Sequence, residues 1–528
     1  MLGLPTRNVD ASEDVPLLDT EDEDFPIPHR PAGISSRQRS KRIVHIFMLV
    51  VLLNSLGEQL MQSPQTRILE AVICYRHYEQ SDPSKVELDR DHVGPGAIGS
   101  VEERWCKVGE VQADLVTLRG WQIFLDCIPS LLLALPAGWA ADRYGRKPFL
   151  LAGLVATVLK ASWIQLVTWF WQAFDVRMTL VSTLFGSLGG GGVVTIALAF
   201  TVLSDVTPEA ERSGVFLRVG AFSITAGLVM PPLAAWLMRY NPWIPTMMGT
   251  GLLLLSVLLF AFTPETLNFG KAEASSADFE GSSMYESFPP PSPEVLLDHE
   301  RILTSMMGRW LLRSSASLVE DWRVPVLILP FLGYMFLGVC GFLAIQYISA
   351  RYQLTLWNAT LVAVVYSAVV VVVLFLVMPF ISNIMVHRLR LSTMKKDLYL
   401  MRASQAVLAF GWLLFGFSPN VPFAAISLAI AALGQGAPLL LRSFITSLLP
   451  QDQIATAYSV ISIVDTLSTM LGAPLLAGLL KHGFKLGGGY VGLPFIFTSL
   501  MLGAFAIMFF VVGLRKGEER DGIISDEE

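Results

Sequence analysis

Chemistry in this chain rests on a few polar side chains set in long apolar stretches. Asn54, Glu58 and Gln62 recur at i, i+4 and i+8, and Arg119, Gln122 and Asp126 at i, i+3 and i+7, so each trio lies on one face of a helix. Burial favours the neutral form of a carboxylic acid, and a neighbouring cation favours the charged form. A group balanced between the two can load a proton on one side of a barrier and release it on the other. Further on, Gln435 and Arg442 stand seven apart, and Asp465 is followed by Ser468 and Thr469. Two roles are open to Arg442: binding an anionic substrate group or neutralising Asp465. Ionisable groups deep in apolar segments are costly and mark either a functional path or a buried ion pair. Arg67, Arg119 and Lys160, read as nearer the ends of their segments, fit buried pairs or side chains snorkelling to an interface.

The elements that must hold these groups are long apolar helices. The chain has 528 residues, 53% of them hydrophobic and 16% charged, with a mean hydropathy of +0.54. That balance excludes intrinsic disorder, and a net charge of −6 excludes a nucleic-acid footprint. Four cysteines are too few for a disulfide scaffold and none sits at metal-ligand spacing, so no metal and no cofactor are expected. A helix needs about 20 apolar residues to cross a bilayer. Six such runs are predicted at roughly 43–63, 116–139, 148–171, 178–203, 214–238 and 243–263. Six more are predicted at roughly 324–350, 359–386, 398–417, 421–446, 454–480 and 489–514. The expected fold is therefore all-α: a polytopic membrane protein of two six-helix bundles, residues 43–263 and 324–514. At 1.5 Å per residue, Glu58 and Asp126 lie about 22 and about 17 Å above one boundary, so the two carboxylates could meet near the middle.

Twelve spans put both termini on one side, and basic residues choose which. Arg143, Arg146 and Lys147 crowd one short loop, and Arg388, Arg390, Lys395 and Lys396 another on the same face. The positive-inside rule makes that face cytoplasmic. Residues 1–42 read as a disordered cytoplasmic tail, 264–323 as a cytoplasmic linker and 515–528 as an acidic cytoplasmic tail. The outer loop, 75–112, is bounded by Cys74 and Cys106. On an oxidising face they are expected to form a disulfide, although spacing alone leaves two unpaired thiols open. Cys127 and Cys340 lie within spans and are expected to stay free. Asn358 and Thr360 form a glycosylation sequon whose loop is too short for a transferase to reach, so no glycan is expected.

The halves also look duplicated. Laying Pro208 on Pro450 lays Pro232 on Pro474 and Gly192 on Gly434. Such duplication is common in secondary transporters, whose binding site lies between the repeats. The run Gly189–Gly192 falls inside an apolar segment, where it is expected to serve close packing rather than phosphate binding. There is no nucleotide-binding signature, no catalytic Ser/His/Asp set and no zinc-protease motif, so neither an ATP pump nor an enzyme is expected.

Between the second and third runs the chain reads Gly138, Asp142, Arg143, Gly145, Arg146, Lys147 at the spacing G-x-x-x-D-R-x-G-R-K. This closely resembles the signature loop of the major facilitator superfamily. Asp205 with Arg212 resembles the loop after span 4, and Pro264-Glu265-Thr266 the motif closing span 6. The resemblance implies that Asp142 faces the start of span 11 and that Arg146 reaches Asp205 or Glu209, locking one conformation. The sequence also departs from the family's proton-coupling pattern: the stretch Ser182–Gly192 of span 4 has no basic residue, and Met230 replaces the Gly before Pro231. Finer features are similar to a fungal branch near tetracycline-resistance and proton-coupled folate carriers.

Together these readings imply a monomeric secondary carrier, embedded in lipid and coupled to protons, that exports a small organic molecule. A proton-coupled importer of a nutrient or organic anion is the alternative within the class, and a non-transporting sensor the alternative outside it. Glu13 ahead of Leu17-Leu18 matches an acidic dileucine address. The expected site is the plasma membrane, with the vacuolar membrane as alternative.

Overall fold

The computed structural model describes residues 32–86, 93–207, 209–263, 322–388, 390, 392–449 and 451–511. The dileucine, both chain tails beyond these limits, most of the linker, Pro208 and Pro450 lie outside them. Twelve helical segments among the described residues are long and apolar enough to cross a membrane. In the first half, spans 1 to 6 cover Arg42–Ser81, Gly109–Ala134, Arg146–Trp169, Val176–Ser204, Arg218–Met238 and Trp243–Ala261. In the second, spans 7 to 12 cover Arg323–Arg351, Leu356–His387, Met394–Gly416, Val421–Leu448, Val460–Leu486 and Gly488–Phe510.

The ends of the first two spans differ from the sequence reading. The helix of span 1 begins at Ala32, inside the stretch read as a tail, and runs on to Ser81, past Cys74. The helix of span 2 begins at Gly109 rather than near 116. Hydropathy falls where polar residues enter, but the backbone stays helical because its hydrogen bonds remain satisfied only that way. The loop between them is thus shorter than 75–112, and it is built from short 3₁₀ turns.

Local chemistry sets several other boundaries. Gly145, at φ 107°, breaks the chain between the helices of spans 2 and 3, a conformation that glycine adopts without strain. The Asn420 side chain accepts from the Phe423 N–H at 3.0 Å and caps span 10, with Pro422 just inside the helix. Span 4 is discontinuous: Gly190 and Gly191, at φ 77° and 85°, separate its upper turns from the helix Gly191–Val206. The glycine run does serve close packing, since a side chain at Gly189 would meet the Gly153 backbone at 2.2 Å. It does not lie inside an unbroken helix, as the sequence suggested. Span 10 is also interrupted, between Leu433 and Ala437, though by a turn whose Gly434 keeps a φ of −86°; the internal repeat lays this position on Gly192.

The second half packs around a buried aromatic cluster. Phe495 meets Phe415, Tyr347 and Trp412 at centroid distances of 4.8, 5.0 and 5.7 Å. The first half uses smaller contacts, including Phe47 on Phe260 at 5.9 Å. The halves touch closely where span 2 crosses span 11: a Cβ at Gly120 would stand 2.7 Å from that of Ala477.

Candidate functional site

A cavity of about 370 Å³ lies between the two halves. Its first-half wall is polar: Glu58 and Gln62 from span 1, Arg119, Gln122 and Asp126 from span 2, and Lys160 from span 3. Its second-half wall is Val339, Phe342, Leu343, Ile345 and Gln346 from span 7 and Ala473 from span 11. The two stripes read from the sequence therefore converge on one space, as the helical spacing required.

Within the cavity the charges are balanced and partly satisfied. Lys160 Nζ donates to Asp126 Oδ2 at 2.5 Å, and it also lies within electrostatic reach of Glu58. Asn54 Nδ2 donates to Glu58 Oε1 at 3.1 Å. Arg119 Nη1 donates to Gln122 Oε1 at 3.2 Å, and its Nη2 donates to Thr66 Oγ1 at 3.0 Å. One ammonium is thus paired with one carboxylate in a space that a second carboxylate, Glu58, also lines. Asn54 supports Glu58 but is not itself part of the lining.

Lys160 and Arg119 belong to this site, although the sequence reading set both among groups near span ends. Lys160 is fourteen positions beyond Arg146, about 21 Å along the helix and hence near mid-membrane. Arg119 is deeper than expected because span 2 starts earlier. Counting from the true helix start places Arg119; Lys160 is mid-span by either count, and what the sequence does not show is its pairing with Asp126. Gln346 was missed altogether; its signal is an amide inside the otherwise apolar stretch before Tyr347.

Arg442 and Asp465 are brought together, but away from this cavity. Arg442 Nη2 donates to Asp465 Oδ2 at 3.1 Å, and the guanidinium lies 5.4 Å from the Phe331 ring centre. Of the two roles open to Arg442, the geometry takes neutralisation. Gln435 accepts from the Tyr366 hydroxyl at 2.7 Å and faces its own bundle.

A second charged cluster sits at the loop end. Cys74 and Cys106 are bridged, with Cα atoms 5.2 Å apart, and Cys127 and Cys340 are free. Below the bridge Lys107 Nζ donates to Glu70 Oε1 at 2.8 Å and to Glu103 Oε1 at 3.0 Å. Gln112 Nε2 donates to Glu70 Oε1 at 2.6 Å and to the Cys106 carbonyl at 2.9 Å. Arg67 pairs with Glu70 at 3.2 Å and with Glu103 at 3.3 Å, so it is a buried partner rather than a snorkelling group. Burial alone would raise the Glu103 carboxyl, but Arg67 and Lys107 beside it hold it below the usual carboxylate range. Glu103 also accepts from the Leu356 N–H at 2.7 Å, a bond from the first half to the second. Nearby, the Arg239 guanidinium stands 4.8 Å from the ring centre of Trp357.

At the opposite end, Gly145 forms the turn of the motif between spans 2 and 3, and Lys147 Nζ donates to the Ala261 carbonyl at 2.9 Å, capping the end of span 6. Arg143 and Arg146 flank that turn. The side chains of Asp142, Asp205, Glu209 and Arg212 lie outside the described ones. Asn358 lies in the first turn of span 8, and Thr360 of its sequon is fully buried.

Residues 116–473 match the sequence profile of the Major Facilitator Superfamily. An MFS-type transporter of Aspergillus flavus, aprT, is 30% identical over 480 residues, covering 89% of this chain and 88% of its own. An MFS efflux pump of Emericella nidulans, atnC, is 26% identical, covering 95% of both chains. Among solved structures, a D-xylose–proton symporter aligns over 89% of this chain and 99% of its own, with a TM-score of 0.56 and 14% identity, a likeness of fold alone.

Proposed function

This chain belongs to the major facilitator superfamily, a transporter and not an enzyme, and from that premise we propose that it exports a small organic molecule in exchange for protons by alternating access. The observation that carries this reading is the cavity between the halves, where Lys160 pairs with Asp126 and Glu58 lines the same space. A proton arriving on Asp126 releases Lys160 to Glu58, and the change of partner biases the two halves toward one opening or the other. Export is supported by relatives named as efflux pumps, among them the Emericella nidulans protein.

Under this reading both termini and the signature loop are cytoplasmic, since Arg143, Arg146 and Lys147 crowd that face and the cystine lies on the other. Asp142, Arg146, Asp205 and Arg212 then act at the cytoplasmic gate. The bond between Glu103 and Leu356 closes the outer side and must part when the carrier opens outward. The chain works as a monomer in the plasma membrane. Changing Leu17 and Leu18 to Ala in a fluorescent fusion should leave it there, and movement from an internal membrane to the surface would point to the vacuolar route.

The test is transport by the purified chain in proteoliposomes with an imposed pH gradient, with candidate metabolites offered on either side. Export predicts accumulation on the proton-donating side, and Glu58→Gln or Asp126→Asn abolishes it at unchanged protein content. Both neutral variants still concentrating substrate would end the proton assignment. Accumulation in the opposite sense would make the protein an importer, and ligand binding without flux a sensor.

A further inference from the structure

The two walls of the cavity each leave one polar atom unmatched. Gln122 is 4% exposed; Arg119 binds its Oε1 and so fixes the amide, leaving Nε2 buried with no hydrogen-bond partner. Across the cavity Gln346 is also 4% exposed, and its Oε1 is buried with no partner. A buried donor or acceptor left unmatched costs about 1–3 kcal/mol, so each favours a ligand that supplies what it lacks. The four ionisable groups of the lining are two acids and two bases, each engaged by a protein partner. That balance leaves no single charge for an ionic ligand to meet. The rest of the lining mixes neutral polar side chains, among them Gln62, Gln65 and Thr157, with apolar ones, among them Ile123, Phe342 and Leu343.

We propose that the cavity selects an uncharged molecule with a carbonyl on one edge, an N–H or O–H on the other, and an apolar, aromatic body. Gln122 donates to the carbonyl, Gln346 accepts from the N–H or O–H, and the body lies against Phe342, Leu343 and Ile123. Because one amide belongs to span 2 and the other to span 7, such a ligand ties the halves together across the cavity. The inference rests on the carrier reading above for its physiological meaning, but its binding chemistry stands on the two amides. A compact cyclic dipeptide has the required pattern: amide carbonyls and N–H groups on a small neutral ring, with apolar arms.

The experiment measures equilibrium binding of tritiated cyclo(Phe-Phe), and of its N,N′-dimethyl form, to the purified full-length chain. The dimethyl ring keeps its carbonyls and loses its N–H donors. The unaltered chain should bind it at least about fivefold more weakly than the parent, the factor expected for one lost neutral hydrogen bond. Gln346→Leu should bring the two rings to one affinity, whereas Gln346→Glu, which keeps the acceptor, should preserve the preference. Gln122→Leu should weaken both rings by a similar factor, since both keep the carbonyl. Equal binding of the two rings, no binding of the parent ring, or a preference that survives Gln346→Leu would each overturn the proposal. The two-ring comparison on the unaltered chain decides even where a variant is not recovered. Binding with the expected preference but without gradient-driven uptake in vesicles sustains the proposal and removes the carrier reading instead.

Discussion

Two clusters of charge lie inside this molecule, one buried and one facing a cavity, and they are satisfied to different degrees. At the loop end, Glu70 receives bonds from Lys107, Gln112 and Arg67, and Lys107 is itself shared with Glu103. Glu70 and Lys107 have side chains only 1% exposed. At mid-membrane, Lys160 and Asp126 remain about one-third exposed to the cavity, and Gln122 and Gln346 each keep an unmatched atom. Burying charge is costly unless every partner is present, so the first cluster can be rigid and permanent. The second is left incomplete, and an incomplete set can change partners when a proton or a ligand arrives. The same residue types thus build a staple in one place and a switch in the other.

Substitutions that neutralise a single charge separate the two. Glu58→Gln or Asp126→Asn should abolish gradient-driven transport in vesicles while the unfolding temperature moves little, because each carboxylate is only partly engaged. Lys107→Met should do the reverse. It removes one of Glu70's three partners and one of Glu103's, two charge-assisted bonds worth about 1.5–3 kcal/mol each, a loss measured by thermal unfolding, with transport per folded molecule unchanged. If Lys107→Met silenced folded carriers, or Glu58→Gln unfolded them, the contrast would fail.

Smaller changes sharpen the picture. Reduction of the Cys74–Cys106 bridge, which spans 32 residues, should cost about 2–4 kcal/mol. Thiol labelling should find the accessible cysteines increased only after reduction, and equal labelling before and after would discard the bridge. Arg146→Ala should slow transport several-fold with apparent affinity little changed, since it acts at a gate; a variant altering affinity alone would count against that role. The smallest effect concerns acid. Glu103 titrates lower in the folded protein than the unfolded carboxylate value of about 4.3, so its contribution is complete above that pH. That contribution is lost as pH falls further, through the folded value. Unfolding temperature should therefore drop below about pH 4.3, and Glu103→Gln should flatten that part of the profile.

Much of this was legible before any coordinates. Long apolar runs fix twelve spans because a bilayer admits few other solutions, and helical spacing alone puts Glu58 and Gln62 on one face and Gln122 and Asp126 on another. What stayed hidden depends on where helices end and what crosses between them. Arg119 lies deeper than its apolar run suggests because hydropathy marks where apolar residues stop, not where the helix stops; Arg67 and Lys160 form ion pairs, one of their two readings, with partners that no local pattern names. Glu70 and Lys107 stand far apart in sequence, and no local pattern announces that the bridge folds one over the other. Gln346 carries no periodicity, so only the opposing wall reveals it. The break in span 4 is written in its glycines, but four glycines permit either a tight helix contact or a left-handed turn, and the neighbours Gly153 and Ser130 decide.

That break has a mechanical meaning. An unbroken helix is a rod, and a push on one end arrives at the other; a rod cut at Gly190 and Gly191 is two short levers on a pivot. The upper piece is wedged against span 3 at Gly153, while the lower runs down to Val206 and carries Asp205 in its last turn. Span 10 is interrupted beside Gly434, the position that the repeat lays on Gly192, so each bundle contains a strut of this kind. Such struts can take up displacement midway, whereas spans 1, 2 and 11 run as single helices, with internal prolines but no break.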